Sequence, residues 1–389
     1  MRRKLLTLSI FVLIGSSLLS CGNNASTSSN GSKPTSSYSE TQQVNDYTIE
    51  LTELDEVDFH TENQKAYLKD DYNNIANYAN GKSEASRPDA ISLKWKSIAA
   101  NKNSPKIDKY EIMISENEDF SNYDSYYSYS PIYNIYNLKI ATKYYWKVVA
   151  NLKNGSKVES NVDEFETMDY GPRNLYVDGV TNVRDLGGWN TSSGERVKQG
   201  MIFRSGRFNK SESTSIKKEI TAEGVDTMIN TVGLKTEIDL RRVDNNEVGS
   251  ITSSPIDESV NYYSCPMNWE GSNMLLDNLE SVKNVFTILG DEDNYPVVYH
   301  CNIGTDRTGL FAFLINGLLG VSEDDLYRDY LFSNFGYING TRGTSGIKNS
   351  YVATVKSYSG DTLSEKIRNC LVDKGVGEQD INTMISMLS

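Results

Sequence analysis

Histidine is nearly absent from this 389-residue chain: there are two, His60 and His300, so a histidine-rich metal centre cannot be assembled. No metal and no organic cofactor is expected. Cysteine is scarce too, at positions 21, 265, 301 and 370, without a C-x-x-C pair or regular spacing, which argues against a disulfide framework. Basic residues fall short of acidic ones, 39 against 52, for a formal charge of −13. A nucleic-acid binder needs a basic face to displace counterions, and this composition speaks against one. Any phosphorylated ligand must be drawn in by a local positive pocket against the field of the whole molecule. Beyond the first twenty residues there is no run of about 18 apolar residues of the kind that spans a bilayer.

What is present begins with an address. Met1-Arg2-Arg3-Lys4 forms a positive start, and Leu5 to Leu19 an apolar stretch too short for a comfortable span of about 20 residues, the pattern of a signal peptide. Leu18-Leu19-Ser20-Cys21 resembles the bacterial lipobox, which implies lipidation of Cys21 after cleavage. Residues 1–21 therefore read as a lipoprotein signal peptide with its lipobox. Residues 22–43, rich in Ser, Asn, Thr and Gly, read as a disordered tether, because they hold too little apolar surface to offset the entropy of ordering. The expected location is extracytoplasmic, on a bacterial membrane, with the lipid on Cys21 as the anchor. Residues 44–84 carry no assigning signal, and His60 among them reads as a surface residue.

Residues 85–168 contain short alternating runs separated by turn residues: Ala90–Trp95, Lys109–Ser115, Tyr144–Val149 and Glu164–Thr167. Period-two patterning at this density predicts an all-β sandwich. Leu138 followed by Tyr144 and Trp146 resembles the fibronectin type III pattern, in which a tyrosine corner ties a late strand to the loop before it. Asn117 to Phe120 reads as the loop after the third strand, and Lys153-Asn154-Gly155 as a hairpin turn. Trp95, Tyr144 and Trp146 read as core. The Tyr126-Tyr127-Ser128-Tyr129 run offers flat aromatic faces for a protein or carbohydrate ligand.

The chemistry lies further on. Val297 to His300 is a short β-rich run, Thr308 to Leu319 is an apolar run of helix length, and Cys301-Asn-Ile-Gly-Thr-Asp-Arg307 joins them. A strand that turns through such a loop into a helix aims successive N–H groups and the positive helix end at one spot, which suits a phosphate dianion. Those N–H groups, on Asn302, Ile303, Gly304, Thr305, Asp306 and Arg307, would bind the substrate phosphate. The same groups and the Arg307 guanidinium would hold Cys301 as a thiolate nucleophile. Arginine suits the far end of the loop because its fork grips two phosphoryl oxygens at once. Gly304 allows a backbone conformation and close approach that a side chain would forbid. Thr308 can donate its hydroxyl to the sulfur, and His300 orders the loop by hydrogen bonding.

His300-Cys-x-x-Gly-x-x-Arg-Thr-Gly309 resembles the signature of protein tyrosine and dual-specificity phosphatases. Asn182-Val-Arg-Asp-Leu-Gly-Gly188, Gly200 to Gly206, Ile238-Asp-Leu-Arg241 and Asp329 to Asn334 are similar to the bacterial tyrosine phosphatase family that includes the secreted triple-specificity enzymes. The resemblance spans residues 170–389. It implies an α/β fold with a central mixed sheet flanked by helices, and hydrolysis of a phosphorylated protein or small phosphomonoester through a phosphocysteine. Arg184, Asp185 and Arg204 either border the pocket or serve as salt bridges between the two ends of the domain.

Two departures stand out. The general acid of such enzymes is usually an aspartate on a loop after an earlier strand. Here that loop is Cys265-Pro-Met-Asn-Trp-Glu-Gly271, so Glu270 and Asp306 are the candidates, Asp306 being preferred and Asp239 reading as structural. Thr305 stands where relatives that act on phosphoinositides often carry lysine, which lowers that activity relative to phosphotyrosine. A phytase-like or phosphoinositide phosphatase is the first alternative, and a surface-binding lipoprotein with an inactive phosphatase-like domain the second. Cys265 reads as a buried apolar cysteine, with a protective disulfide to Cys301 as the other option.

Overall fold

The strand Ile91–Ala99 buries Ile91, Leu93 and Trp95 and turns Lys94 and Lys96 to solvent, the alternation of a sheet with one face in a core. The computed structural model to which it belongs describes residues 46–54, 56–209, 219–243, 247–248 and 251–389. The signal peptide, Cys21 and the tether read from the sequence lie outside the described residues.

Two sheets face each other in the first half. One orders β1 (Tyr47–Leu51), β3 (Ile91–Ala99) and β6 (Ile132–Ile135), all antiparallel. The other orders β2 (Glu56–Val57), β9 (Asp163–Thr167), β7 (Lys143–Leu152), β4 (Ile107–Ser115) and β5 (Asp124–Ser128), with β8 (Lys157–Glu159) also on β7. Their inner faces share one apolar core that includes Trp95, Ile112, Tyr144, Trp146 and Phe165. The Tyr144 hydroxyl accepts a 2.9 Å bond from the Lys139 N–H, tying the start of β7 to the loop before it. The β7–β8 hairpin turns at Gly155, whose φ of +88° only glycine adopts without strain. Because β1 and β2 belong to the sheets, this β unit starts well before residue 85.

After Phe59, which stays in the core of the β unit, the segment that runs to Ser86 leaves the sheets and lies on the second half of the chain. The helix Glu62–Leu68 opens with a capping box, in which Thr61 and Gln64 each bond the other's backbone N–H. Tyr67 and Ile75 from this segment join the core of the α/β half. Backbone bonds from Gly81 to Asn334 (2.8 Å) and from Ala85 to Phe335 (2.6 Å) fasten its end. His60 is fully buried, not a surface residue as the sequence suggested. Its Nε2 bonds the Pro172 carbonyl at 2.8 Å, its Nδ1 lies 3.2 Å from Asp58, and its ring stacks on Tyr170. The local sequence gave no sign of this, because Tyr170, Pro172 and Phe332, which join Asp58 and Phe59 in covering it, lie far along the chain.

The α/β half is built on a five-stranded sheet: β10 (Arg184–Asp185), β11 (Ile202–Ser205), β14 (Val297–His300), β12 (Thr236–Asp239) and β13 (Asn261–Ser264), in that order. β10 runs antiparallel and the other four run parallel. β11, β12 and β14 are buried along their whole length, as parallel strands covered on both faces are. Their register sets Ser205, Asp239 and His300 level with one another, so the three strands end together. The chain after His300 turns into the helix Asp306–Leu318, which is buried from Arg307 onward and packs on Glu323–Phe332 and Leu363–Asp373. Sandwich and α/β half are joined by Gln199, which donates to the Ile140 carbonyl and accepts from the Ile140 N–H, both at 2.9 Å. Arg173 adds a 3.0 Å bond to the Leu138 carbonyl and a 2.7 Å ion pair with Asp185.

Candidate active site

Open parallel sheets place ligands beyond the carboxyl ends of their strands, and the loop Cys301 to Thr305 occupies that position here. Its shape is set from outside, carbonyl by carbonyl. The Cys301 oxygen lies 3.3 Å from His300 Nδ1. The Asn302 oxygen accepts from the Arg207 N–H at 3.3 Å and from Arg207 Nη1 at 3.2 Å. Asn182 Nδ2 donates to the oxygens of Ile303 (3.1 Å) and Gly304 (2.8 Å). Arg204 Nη2 donates to Gly304 (2.9 Å) and Thr305 (3.2 Å). A planar trans peptide carries its N–H opposite its carbonyl, so oxygens held outward turn the following N–H groups inward. Among the described residues, the N–H groups of Asn302, Ile303, Gly304 and Thr305 have no acceptor.

Gly304 is required twice. Its φ is +69°, and a Cβ there would stand 2.5 Å from the Ser205 carbonyl carbon and 2.6 Å from the Gly206 nitrogen. The loop thus sits directly on the end of β11.

Cys301 lies at the base of this loop, 2% exposed, and Arg307 stands one turn into the helix, 4% exposed. The two attract: Cys301 and Glu247 raise the Arg307 guanidinium against the cost of its burial. Glu247 was not found by sequence reasoning. It grips Arg307 end-on, Oε2 to Nη1 at 2.7 Å and Oε1 to Nη2 at 3.1 Å, while the Leu240 and Met267 carbonyls take further Nη1 contacts. The Asn302 side chain donates to the same carboxylate at 3.0 Å. The Nε edge of the fork has no partner among the described residues, and it is the edge left for a phosphoryl group.

The remaining candidates fall at different distances from this centre. Thr308 is buried, and its oxygen accepts from Arg204 Nη2 at 3.2 Å. Asp306 accepts from the Tyr330 hydroxyl (2.9 Å) and pairs with Arg342 (3.1 Å), a second residue the sequence did not reveal. Glu270 is largely exposed and pairs with Arg242 at 3.2 Å, beside an open cleft of ≈ 420 Å³ lined by Arg242, Val243, Pro266, Met267, Asn268 and Asn278. Arg184 and Arg204 share Asp329 and so brace the two ends of the domain, whereas Asp185 holds Arg173 and the Gly187 and Gly200 N–H groups and so fixes the N-terminal end alone. Arg204 does so while fastening the loop. Cys265 is buried, and burial together with Asp239 pushes its thiol up to about 12, which makes it a poor partner for disulfide exchange.

Glu237, Asp239 and His300 converge within 4.8 Å. Each already has a protein partner: His300 Nε2 bonds Glu237 at 2.9 Å, Asp239 is held by Arg241 and the Tyr262 hydroxyl, and Glu237 accepts from Ser254. The arrangement fixes the end of β14 immediately before Cys301.

A buried cysteine sulfur, a buried guanidinium and a crown of N–H groups unpartnered among the described residues meet at a strand-to-helix junction, an arrangement suited to a phosphate dianion. Residues 175–367 match the tyrosine phosphatase family, and this half of the chain carries a tyrosine phosphatase family domain. A Cupriavidus necator protein provisionally named a tyrosine-protein phosphatase is 27% identical over 190 residues, a match that takes in 42% of this chain and 64% of that protein. The core catalytic domain of the S. cerevisiae PP-IP phosphatase Siw14, solved with citrate, aligns at 17% identity and a TM-score of 0.27, covering 42% of this chain and 84% of that one. A fibronectin type III domain of human fibronectin type III domain containing protein 3 aligns at 25% identity and a TM-score of 0.17, covering 22% of this chain and 89% of that one.

Proposed function

We propose that this protein hydrolyses phosphomonoesters, with phosphotyrosine or a similar aryl phosphate as substrate, through a phosphocysteine on Cys301. The observation that carries the reading is the outward pinning of the loop carbonyls from Cys301 to Thr305, which leaves four N–H groups without an acceptor among the described residues. The phosphoryl group sits in this crown with two oxygens on the Arg307 fork, whose far end Glu247 holds still. The Cys301 thiolate attacks phosphorus, the S–P bond forms as the ester P–O bond breaks, and an acid protonates the departing oxygen. Asp306 is that acid in this reading, with Glu270 the alternative. Water then attacks phosphorus and the sulfur leaves. Thr308 assists, because its oxygen accepts from Arg204 while its own proton remains to be donated to the sulfur. A nucleophilic cysteine only 2% exposed favours a long aryl ester over a short alkyl one, since the aryl group carries phosphorus further from its own backbone.

The anchor at Cys21, the extracytoplasmic location, and a fibronectin type III identity and ligand for the β unit belong to the same proposal. Tyr127 and Tyr129 are exposed on the β unit, whereas Tyr126 is stacked on Tyr133.

The test is release of phosphate from 4-nitrophenyl phosphate and a phosphotyrosine peptide in the presence of a chelator. The parent should turn over and Cys301→Ser should not; equal rates would sink the mechanism.

A further inference from the structure

Four guanidiniums lie close enough to Cys301 to sense the charge on its sulfur. Arg204 and Arg207 come from the end of β11, Arg307 from the helix, and Arg342 from the loop beyond Glu323–Phe332. Three have carboxylates of their own. Arg204 pairs with Asp329, which also holds Arg184; Arg307 pairs with Glu247 at 2.7 Å; Arg342 pairs with Asp306 at 3.1 Å.

Arg207 differs. Among the described residues it has no carboxylate partner, although it is only 3% exposed. One nitrogen, Nη1, donates to the Asn302 carbonyl at 3.2 Å, and Nε and Nη2 have no partner among the described residues. An unpaired charge this deeply buried is costly, and something must offset the cost. Burial and the neighbouring Arg241 push the guanidinium down to about 10, and the influence acting the other way is Cys301. Coupling between two charges is reciprocal, so whatever the sulfur does for Arg207, Arg207 does for the sulfur. The other ionisable groups around the sulfur are otherwise engaged: His300 with Glu237, Asp239 with Arg241, and Tyr299 with the Thr308 carbonyl.

We propose that Arg207 is the electrostatic partner of the Cys301 thiolate, a positive charge, answered by no carboxylate among the described residues, that keeps the nucleophile ionised and is held in its buried position by the sulfur in return. It acts on Cys301 through space and on the phosphate loop through the Asn302 carbonyl. After the S–P bond forms, the same charge faces the phosphoryl oxygens. The inference rests on Cys301 being the nucleophile, and it can be tested without turnover.

Iodoacetamide consumes thiolate whether or not any ester is a substrate, so its rate of reaction with Cys301, read by peptide mass, isolates the effect. At pH 6, Arg207→Met should react about tenfold more slowly than the parent, the change expected for one lost charge interaction of this kind. At pH 10 the two rates should converge, because the thiol ionises without help. Arg207→Lys, which keeps the charge, should stay within about threefold of the parent at pH 6. Arg207→Met reacting at the parental rate at pH 6 would overturn the proposal. So would an equal slowing of both variants at both pH values, which would mean that Arg207 shapes the loop and not its charge. Absence of ester hydrolysis with the expected alkylation pattern would count against the phosphatase reading and leave the role of Arg207 standing.

Discussion

Asn182 donates one side-chain amide group to two consecutive carbonyls, those of Ile303 and Gly304, which lie 121 and 122 residues further along the chain. Its own N–H donates to Ser86 Oγ at 3.0 Å, and its φ is +60°, a conformation asparagine tolerates better than most residues. Asn182→Gly keeps that backbone freedom and removes the amide. The loop N–H groups should then lose their aim, and kcat/KM on 4-nitrophenyl phosphate should fall about 100-fold, the size of effect that a displacement of about 1 Å produces. A thermal unfolding midpoint near the parental value, measured alongside, would separate lost aim from lost fold.

The choice of acid can be read from leaving groups. If Asp306 protonates the departing oxygen, Asp306→Asn should slow phenyl phosphate at least about 100-fold, yet slow 2,4-dinitrophenyl phosphate, whose leaving group needs no proton, by much less. Glu270→Gln should leave both rates within about threefold. The reverse pattern in steady-state kinetics would move the role to Glu270.

Asp239 gives the fold a pH signature. Burial alone would raise its carboxyl, but His300 and Arg241 outweigh that and hold it below the ordinary carboxylate range. A group whose folded value is depressed contributes stability above its unfolded value of about 3.9, and that stability is lost as pH falls through the folded value. Asp239→Asn should therefore be less stable than the parent at pH 7, by about 3 kcal/mol for a broken buried ion pair. The gap should narrow below about pH 4 in urea unfolding curves. A gap that stays constant from pH 7 to pH 3 would contradict this account.

The segment 60–86 belongs structurally to the α/β half, since Tyr67 and Ile75 lie in its core and Gly81 and Ala85 bond its backbone. A fragment comprising residues 170–389 would expose that core face. It should be insoluble or aggregate on expression, whereas residues 46–389 should be soluble and monodisperse by size-exclusion chromatography. A well-folded, active 170–389 fragment would show the segment to be dispensable.

The strand Val297–His300, the loop from Cys301 and the helix that follows were legible because their signals are local: a β-rich run, fixed spacing and an apolar run of helix length. Asp306 and Arg307 followed from the same spacing. Glu247 and Arg342 were not legible, because each meets the site only through tertiary structure, 60 and 36 residues from its partner. Glu247 follows Val243-Asp-Asn-Asn, which reads as a solvated polar run, although its position soon after Ile238-Asp-Leu-Arg241 is a signal that could have drawn notice. Arg184, Asp185 and Arg204 were found, but bracing and pocket-lining leave the same trace in sequence, and only the bonds to Asp329, Arg173 and the loop carbonyls tell them apart. The strand Tyr47–Leu51 went unread because five residues with one fully buried position give a weak period.

The excursion of residues 60–86 also orders events during translation. These residues leave the ribosome before the β strands that follow them, yet the partners they cover, from Pro172 to Lys348, emerge only after those strands are complete. The nascent β unit can close while this piece still waits for its counterpart, so the α/β half becomes whole only after Lys348 has been made.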